Sequence, residues 1–402
     1  MMHILRKIAV ILLKTVASLL LIAMLAMVVT GISLVYRFHK LTAFEGPDIF
    51  NPYRNFKKEA PWKRANFHTH TKVDGIFNEC DHTPEQVYQA LKQFNYDIVT
   101  FSNHNQITNH PFDPKLQVNL YEHGYNLLKY HKLVFGSDKV NLFDNLLPIF
   151  TFQKQFQLDY LRDNSDIVVL NHPLRTTALS ISQMQRLSGY QIIELDSGKS
   201  TENGYWDAAL SAGRYSFALA NDDLHYPDRS RAIAVRCNFL QTQSESYQDI
   251  KNTLLDGCYY SMRIPDYGNG EWSTKIEKNK TIPYVKNIGL KDGAVYIALS
   301  QRADSIKVTG QNCATLSLAV ATDSLGYKML PTDSYSRFTA YFPEGEVIYS
   351  NPFARYDAAT CVSPFRTDTH SVDMTLTLLY NFILFGIFTV LCVTLYKTIF
   401  VW

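Results

Sequence analysis

The chain has 402 residues, of which 46% are hydrophobic and 19% charged, with a formal net charge of +2. That length exceeds one small domain, and the balance suits a folded core with some membrane-type sequence added. A near-neutral chain without a concentrated basic stripe gives no basis for nucleic-acid binding, and none is expected.

Residues 15–36 are an uncharged run of 22 residues, long enough at about 1.5 Å per residue to cross about 30 Å of hydrocarbon. A cleaved signal peptide would share the basic Arg6, Lys7 and Lys14, but its apolar region spans only about 7–15 residues. A transmembrane helix within residues 1–40 is therefore expected. Residues 41–64, with Pro47, Pro52 and Pro61, read as an irregular linker.

From Ala65 to about Arg263, short apolar runs alternate with amphipathic stretches, the pattern of repeated βα units. Thr83 and Pro84 suit the cap and first turn of a helix that continues through Val87, Ala90, Leu91 and Phe94. Similar helices are expected at 180–188, 203–213 and 246–256, and a long loop over the strand ends within 105–131. Residues 282–366 change texture: short strands at 295–299, 305–308, 315–320, 337–342 and 347–349 suggest a small antiparallel β module. Residues 374–396 form a second apolar run interrupted only by Asn381, and Trp402 is expected at a membrane interface. Lys and Arg near the two spans place both termini in the cytoplasm and residues 41–370 outside it, which is the periplasm in a bacterium. Five cysteines outside the second span allow one bridge, such as Cys313–Cys361, but no complete disulfide framework.

Six strand-like runs in the βα region each lead to a metal-competent side chain: His68 and His70, His104, Asp138, His172, Glu194, and Asp223 with His225. In a barrel of parallel strands such ends converge on one face. In His68-x-His70 and Asp223-x-His225, period-two alternation points both side chains of each pair the same way, so each pair can grip one ion. Imidazole and carboxylate suit zinc, manganese or iron. His82, His110, His123 and His131 are expected in loops or at the surface.

The segments His68-Thr69-His70-Thr71, Asp74-Gly75, Phe101-Ser102-Asn103-His104-Asn105, Asn171-His172-Pro173 and Asp223-Leu224-His225 resemble the polymerase and histidinol phosphatase (PHP) family. The resemblance implies an α/β fold, a distorted (βα)7 barrel over 65–281, with two or three divalent ions and hydrolysis of a small phosphorylated substrate. Carried over, His68, His70, Asp138 and Asp223 would form one metal site, and Asp74, His104 and His225 another. Asp138 and His172 would contribute to a third. Asn103 stands where the family usually has Asp, and Asp138 where Glu is usual. No second His follows Asp138, so the third site is expected to be weak or empty. Arg175 is the best candidate for a phosphate clamp, ahead of Lys199 and Arg229, because guanidinium binds phosphate in a fork. Asp223, His225 or a water would protonate the leaving group. Glu194 would stand behind the ligands or cap a helix. The alternatives are a metal-binding module that senses a phosphorylated ligand without turnover, and a hydrolase of another bond.

Overall fold

The computed structural model describes residues 2–75, 78–177, 179–198, 200–201 and 203–401. Lys199 and Trp402 lie outside the described residues.

Two helices, Met2–Val29 and Met374–Phe400, are long and apolar enough to cross a membrane. The first begins earlier than the uncharged run suggests, and residues 36–38 belong instead to a strand, Tyr36–Phe38, paired antiparallel with His370–Val372. The helices lie against each other, and this ribbon joins them to the globular part. The docking is polar. Asn145 donates to the Thr30 carbonyl, the Leu146 amide donates to Thr30 Oγ1 at 3.3 Å, and Gln153 Nε2 donates to the Tyr380 hydroxyl at 3.2 Å. Tyr380 in turn donates to the Gly31 carbonyl at 3.0 Å, and its ring meets Phe152 edge-on with centroids 5.0 Å apart.

The globular part is mixed α/β. One six-stranded sheet runs in the order Phe217–Asn221, Ile192–Ser197, Ile167–Leu170, Lys132–Phe135, Leu120–His123, with Ser200–Thr201 at its margin. Ile167–Leu170 is buried at all four positions, as an apolar run covered on both faces should be. Phe217–Asn221, Ile192–Ser197 and Ile167–Leu170 run parallel, Lys132–Phe135 opposes both of its neighbours, and Ser200–Thr201 pairs antiparallel with Ile192–Ser197. A second, eleven-stranded sheet contains Lys63–Asn66, Ile98–Val99, Arg236–Leu240 and Tyr259–Arg263. It continues into Val347–Ser350, Tyr335–Tyr341 and the long hairpin strands Ala294–Thr309 and Thr315–Lys328. The β-rich C-terminal part therefore extends the same sheet, with Met262 opposite Ile348.

Among the described residues no sheet closes into a barrel, which corrects the expected (βα)7 ring. At one seam, asparagine side chains stand in for a strand ladder. Asn221 Oδ1 accepts from the Phe67 amide at 3.0 Å, and Asn238 pairs with both amide and carbonyl of Ala220 at 2.9 Å. At the other seam the bridge between His104 and Glu122 connects the sheets, with the Asn105 amide donating to the Glu122 carbonyl at 2.8 Å.

Thr83 and Gln86 form a reciprocal capping box at Pro84–Lys92, and Gly257 ends Tyr247–Asp256 in the left-handed conformation. The 180–188 expectation shrinks to one turn, Ile181–Met184. Thr151–Arg162 escaped the periodicity argument because its buried face carries Gln153, Lys154, Gln155 and Gln157 beside Leu158 and Leu161. All six cysteines are free, so the Cys313–Cys361 bridge is not formed.

Candidate metal centre

The cluster is built at the C-terminal ends of the parallel strands. After Lys63–Asn66 the chain stays extended, and a bridge between Thr69 and Leu224 fixes His68 and His70 beside Asp223. Asn103 braces this segment: its amide donates to the hydroxyls of Thr71 and Thr108 at 2.7 and 2.6 Å. Asp222 caps the amides of Ala234, Val235 and Arg236, which leaves its neighbour Asp223 to turn inward at a φ of 52°. Left-handed backbone at a non-glycine residue costs on the order of 1 kcal/mol and marks a constrained site. His172 is similarly held, at a φ of 24°.

The centre of the cluster is Glu122. Its Oε2 lies 3.0, 3.3 and 3.1 Å from Nε2 of His68, His70 and His104. Its Oε1 lies 3.1 Å from His131 Nδ1 and 3.2 Å from His172 Nε2. Asp223 Oδ1 is 3.2 Å from His68 Nε2 and 3.3 Å from His70 Nε2, and its other oxygen is paired with Arg175. Glu79 Oε2 reaches His104 at 3.0 Å and His225 at 3.3 Å. Three overlapping groups of ligand atoms result, each within 4.8 Å: His68, His70, Glu122 and Asp223; His70, Glu79 and His225; His104, Glu122 and His131. That spacing suits donors sharing an ion about 2.0–2.2 Å away.

The residues fit metal on a second count. His68 Nε2, His70 Nε2 and Glu122 Oε2 are buried without a hydrogen-bond partner. Such orphans are costly unless something else satisfies them. His68 Nδ1 faces Glu194 Oε1 at 2.9 Å, and Glu194 also accepts from Asn221 and from the His172 amide. Glu194 thus orients the His68 ring with Nε2 free for a ligand bond, the usual support for a metal-bound imidazole.

Electrostatics agree. Burial opposes ionisation of Glu122, but His104, His68 and His131 outweigh it and hold the carboxyl well below its usual range. Burial also opposes a charge on His104, yet Glu122 and Glu79 push it up to about 9. The carboxylates are thus charged, and the protons they attract are those a divalent ion would displace.

His68, His70, His104, His172, Asp223 and His225 come together as expected. Asp74 and Asp138 do not: both are exposed and belong to none of the three groups. Asp138 follows Lys132–Phe135, whose reversed direction carries its C-terminal end away from the cluster. The same reversal brings His131, just before that strand, into the site beside Glu122 from the neighbouring strand. Those two side chains fill the corner where no second histidine was expected. Glu79 occupies the place assigned to Asp74. Of the other histidines, His82 and His110 lie in loops as expected, whereas His123, at the end of Leu120–His123, is fully buried against the Phe143 carbonyl. Arg229 stacks on Tyr226, 3.9 Å from the ring centre, whereas Arg175 stands at the cluster's rim.

One sequence signal could have revealed the reversal. Eight residues separate His123 from Lys132, too few for a parallel crossover, which needs a dozen or more.

No protein-family model matches the sequence, and no curated protein matches it. Among solved structures the chain is similar to a two-domain protein from Bacteroides vulgatus containing a predicted PHP-like metal-dependent phosphoesterase. Identity is 12% and the TM-score 0.38, over 79% of this chain and 99% of that one.

Proposed function

We propose that the chain is a membrane-anchored, extracytoplasmic phosphoesterase of the PHP type, with residues 65–281 as its catalytic region. It hydrolyses a small phosphorylated substrate with the help of two or three divalent ions, zinc, manganese or iron. The observation that carries this reading is Glu122, a buried carboxylate with imidazoles on both oxygens and an unpartnered Oε2. Such a carboxylate could take part in holding two cations. The membrane part rests on the two long apolar helices and on the distribution of Lys and Arg around them.

His68, His70, Glu122 and Asp223 would hold one ion, His70, Glu79 and His225 a second, and His104, Glu122 and His131, with His172 beside them, a third. Bound ions would supply a water of near-neutral pKa and positive charge for the phosphoryl oxygens. Glu194 keeps the His68 ring aligned. Arg175, whose side chain is 34% exposed, can swing its fork from Asp223 to the substrate phosphate. Asp223 and His225 would both serve as ligands, and a water at the open rim would protonate the leaving oxygen. A binding-only module is suggested by Asn103, by Asp138 and by the absence of a second histidine after it; Glu122 and His131 answer the last two, and Asn103 braces the loop rather than reaching the cluster.

The test is metal analysis of the full chain in detergent, alongside a panel of chromogenic phosphoesters, amides and lactones. Two or more equivalents of metal and selective phosphoester turnover are expected. Full activity in a His68→Ala, His70→Ala double variant would reject the assignment.

A further inference from the structure

The metal cluster opens on the same side of the globular part as the two apolar helices. Thr151–Arg162 runs back along the six-stranded sheet, so its first turn lies at the cluster end. Thr151 there accepts from Gln183, in the segment that follows His172. That first turn is also where the helices dock. Gln153 and Phe152 meet Tyr380, six residues inside the second helix, about 9 Å along its axis. The ribbon of Tyr36–Phe38 and His370–Val372 leads the other way, toward the far end of Thr151–Arg162, where His370 Nε2 contacts Asp159 at 2.8 Å. The loops beside the cluster therefore reach past the start of the second helix, along its apolar length.

Those loops expose large apolar side chains. Leu127 is 62% exposed, Leu142 65%, Phe150 50% and Leu174 52%, with Ile149 and Ile181 also exposed. Leu127 belongs to the stretch between Glu122 and His131, Leu174 adjoins Arg175, and Phe150 stacks on Phe152, which touches Tyr380. Scattered single apolar residues need no explanation, but a set continuous with two apolar helices does. Tyr380 and Asn381 at this level suit the headgroup region, where tyrosine is enriched.

We propose that these loops seat in the bilayer surface, and that the cluster acts on a phosphate ester carried by a lipid, drawn from the membrane rather than from solution. The substrate half of this inference rests on the hydrolase reading above; the seating of the loops does not.

Both halves can be tested on the full chain reconstituted into phosphatidylcholine vesicles. A tryptophan placed by Phe150→Trp should be quenched by brominated phosphatidylcholine. One placed by Leu318→Trp, exposed on the Ala294–Thr309 and Thr315–Lys328 hairpin, should not. Equal quenching of the two, or none, overturns the seating. Phosphatidic acid in the vesicles should be hydrolysed in preference to glycerol 3-phosphate. The ratio of the two rates should fall about tenfold in a Leu142→Ser, Phe150→Ser double variant. A preference for the soluble ester, or an unchanged ratio, overturns the lipid substrate and leaves the phosphoesterase reading standing. No turnover of either ester with any metal defeats the hydrolase reading and the substrate half together, while the quenching result still decides the seating.

Discussion

Two buried carboxylates in this molecule live opposite lives. Asp207, on the helix Asn203–Ser211, accepts from Arg337 Nε at 2.9 Å and Nη2 at 2.5 Å and from the Tyr335 hydroxyl at 3.0 Å. Every donor around it is engaged, with Arg337 Nη1 held by Thr339. Glu122 is as deeply buried, yet its Oε2 and the facing Nε2 atoms of His68 and His70 have no hydrogen-bond partner. A saturated buried ion pair braces the junction between helix and sheet; an unsaturated cluster waits for a ligand. Burial alone does not distinguish structure from function here; several unsatisfied ligand atoms converging on one point do.

The contrast can be broken most sharply at the ligands. Replacing His68 and His70 by alanine should cost on the order of a thousandfold in phosphoester turnover, about 4 kcal/mol of barrier. It should also remove metal while leaving the unfolding of the metal-free protein nearly unchanged. If metal content persists, the two carboxylates do not differ in kind. Asp207→Ala should do the reverse, destabilising the fold by about 3–5 kcal/mol because Arg337 is left buried and uncompensated. Denaturant melts should register that loss while metal per folded molecule stays constant.

Glu194→Gln is intermediate, since it touches a ligand without being one. A tenfold to hundredfold loss in metal affinity, of the order typical for such supports, should appear in competition with a chelator, with little change in melting. The smallest effect is a pH dependence. Burial pushes Lys154 down to about 8, with its ammonium on the Pro148 and Ile149 carbonyls. Its unfolded value is higher, near 10.5, so the unfolded chain binds the extra proton between these values, and stability should rise with pH across that window. The wild type should gain about 2 kcal/mol or less there over a Lys154→Met variant, and equal slopes would remove Lys154 from the account.

Much of the site was legible because strand-end histidines and the two x-spaced pairs obey a geometric rule that needs only parallel strands. His131 stayed hidden because one strand breaks that rule, Glu122 because its strand Leu120–His123 falls in a stretch that reads as loop, and Glu79 because it stands in the loop between His70 and Pro84–Lys92. A reversed strand turns its beginning, not its end, toward the site, so Asp138 and His131 exchange importance. The open ring was equally out of reach, because the seam is made by the side chains of Asn221 and Asn238, which carry no periodicity. The Thr151–Arg162 helix hid for a related reason: polar side chains fill the face that periodicity expects to be apolar.

The short ribbon between Tyr36–Phe38 and His370–Val372 also decides where this protein can be cut. Removing the first helix together with its strand would leave His370–Val372 as a bare edge, open to pairing with another chain. It would also leave Asn145 and Gln153 without the carbonyls of Thr30 and Gly31. A truncated soluble chain should therefore self-associate, and the helices belong to the folding unit rather than being a detachable tether.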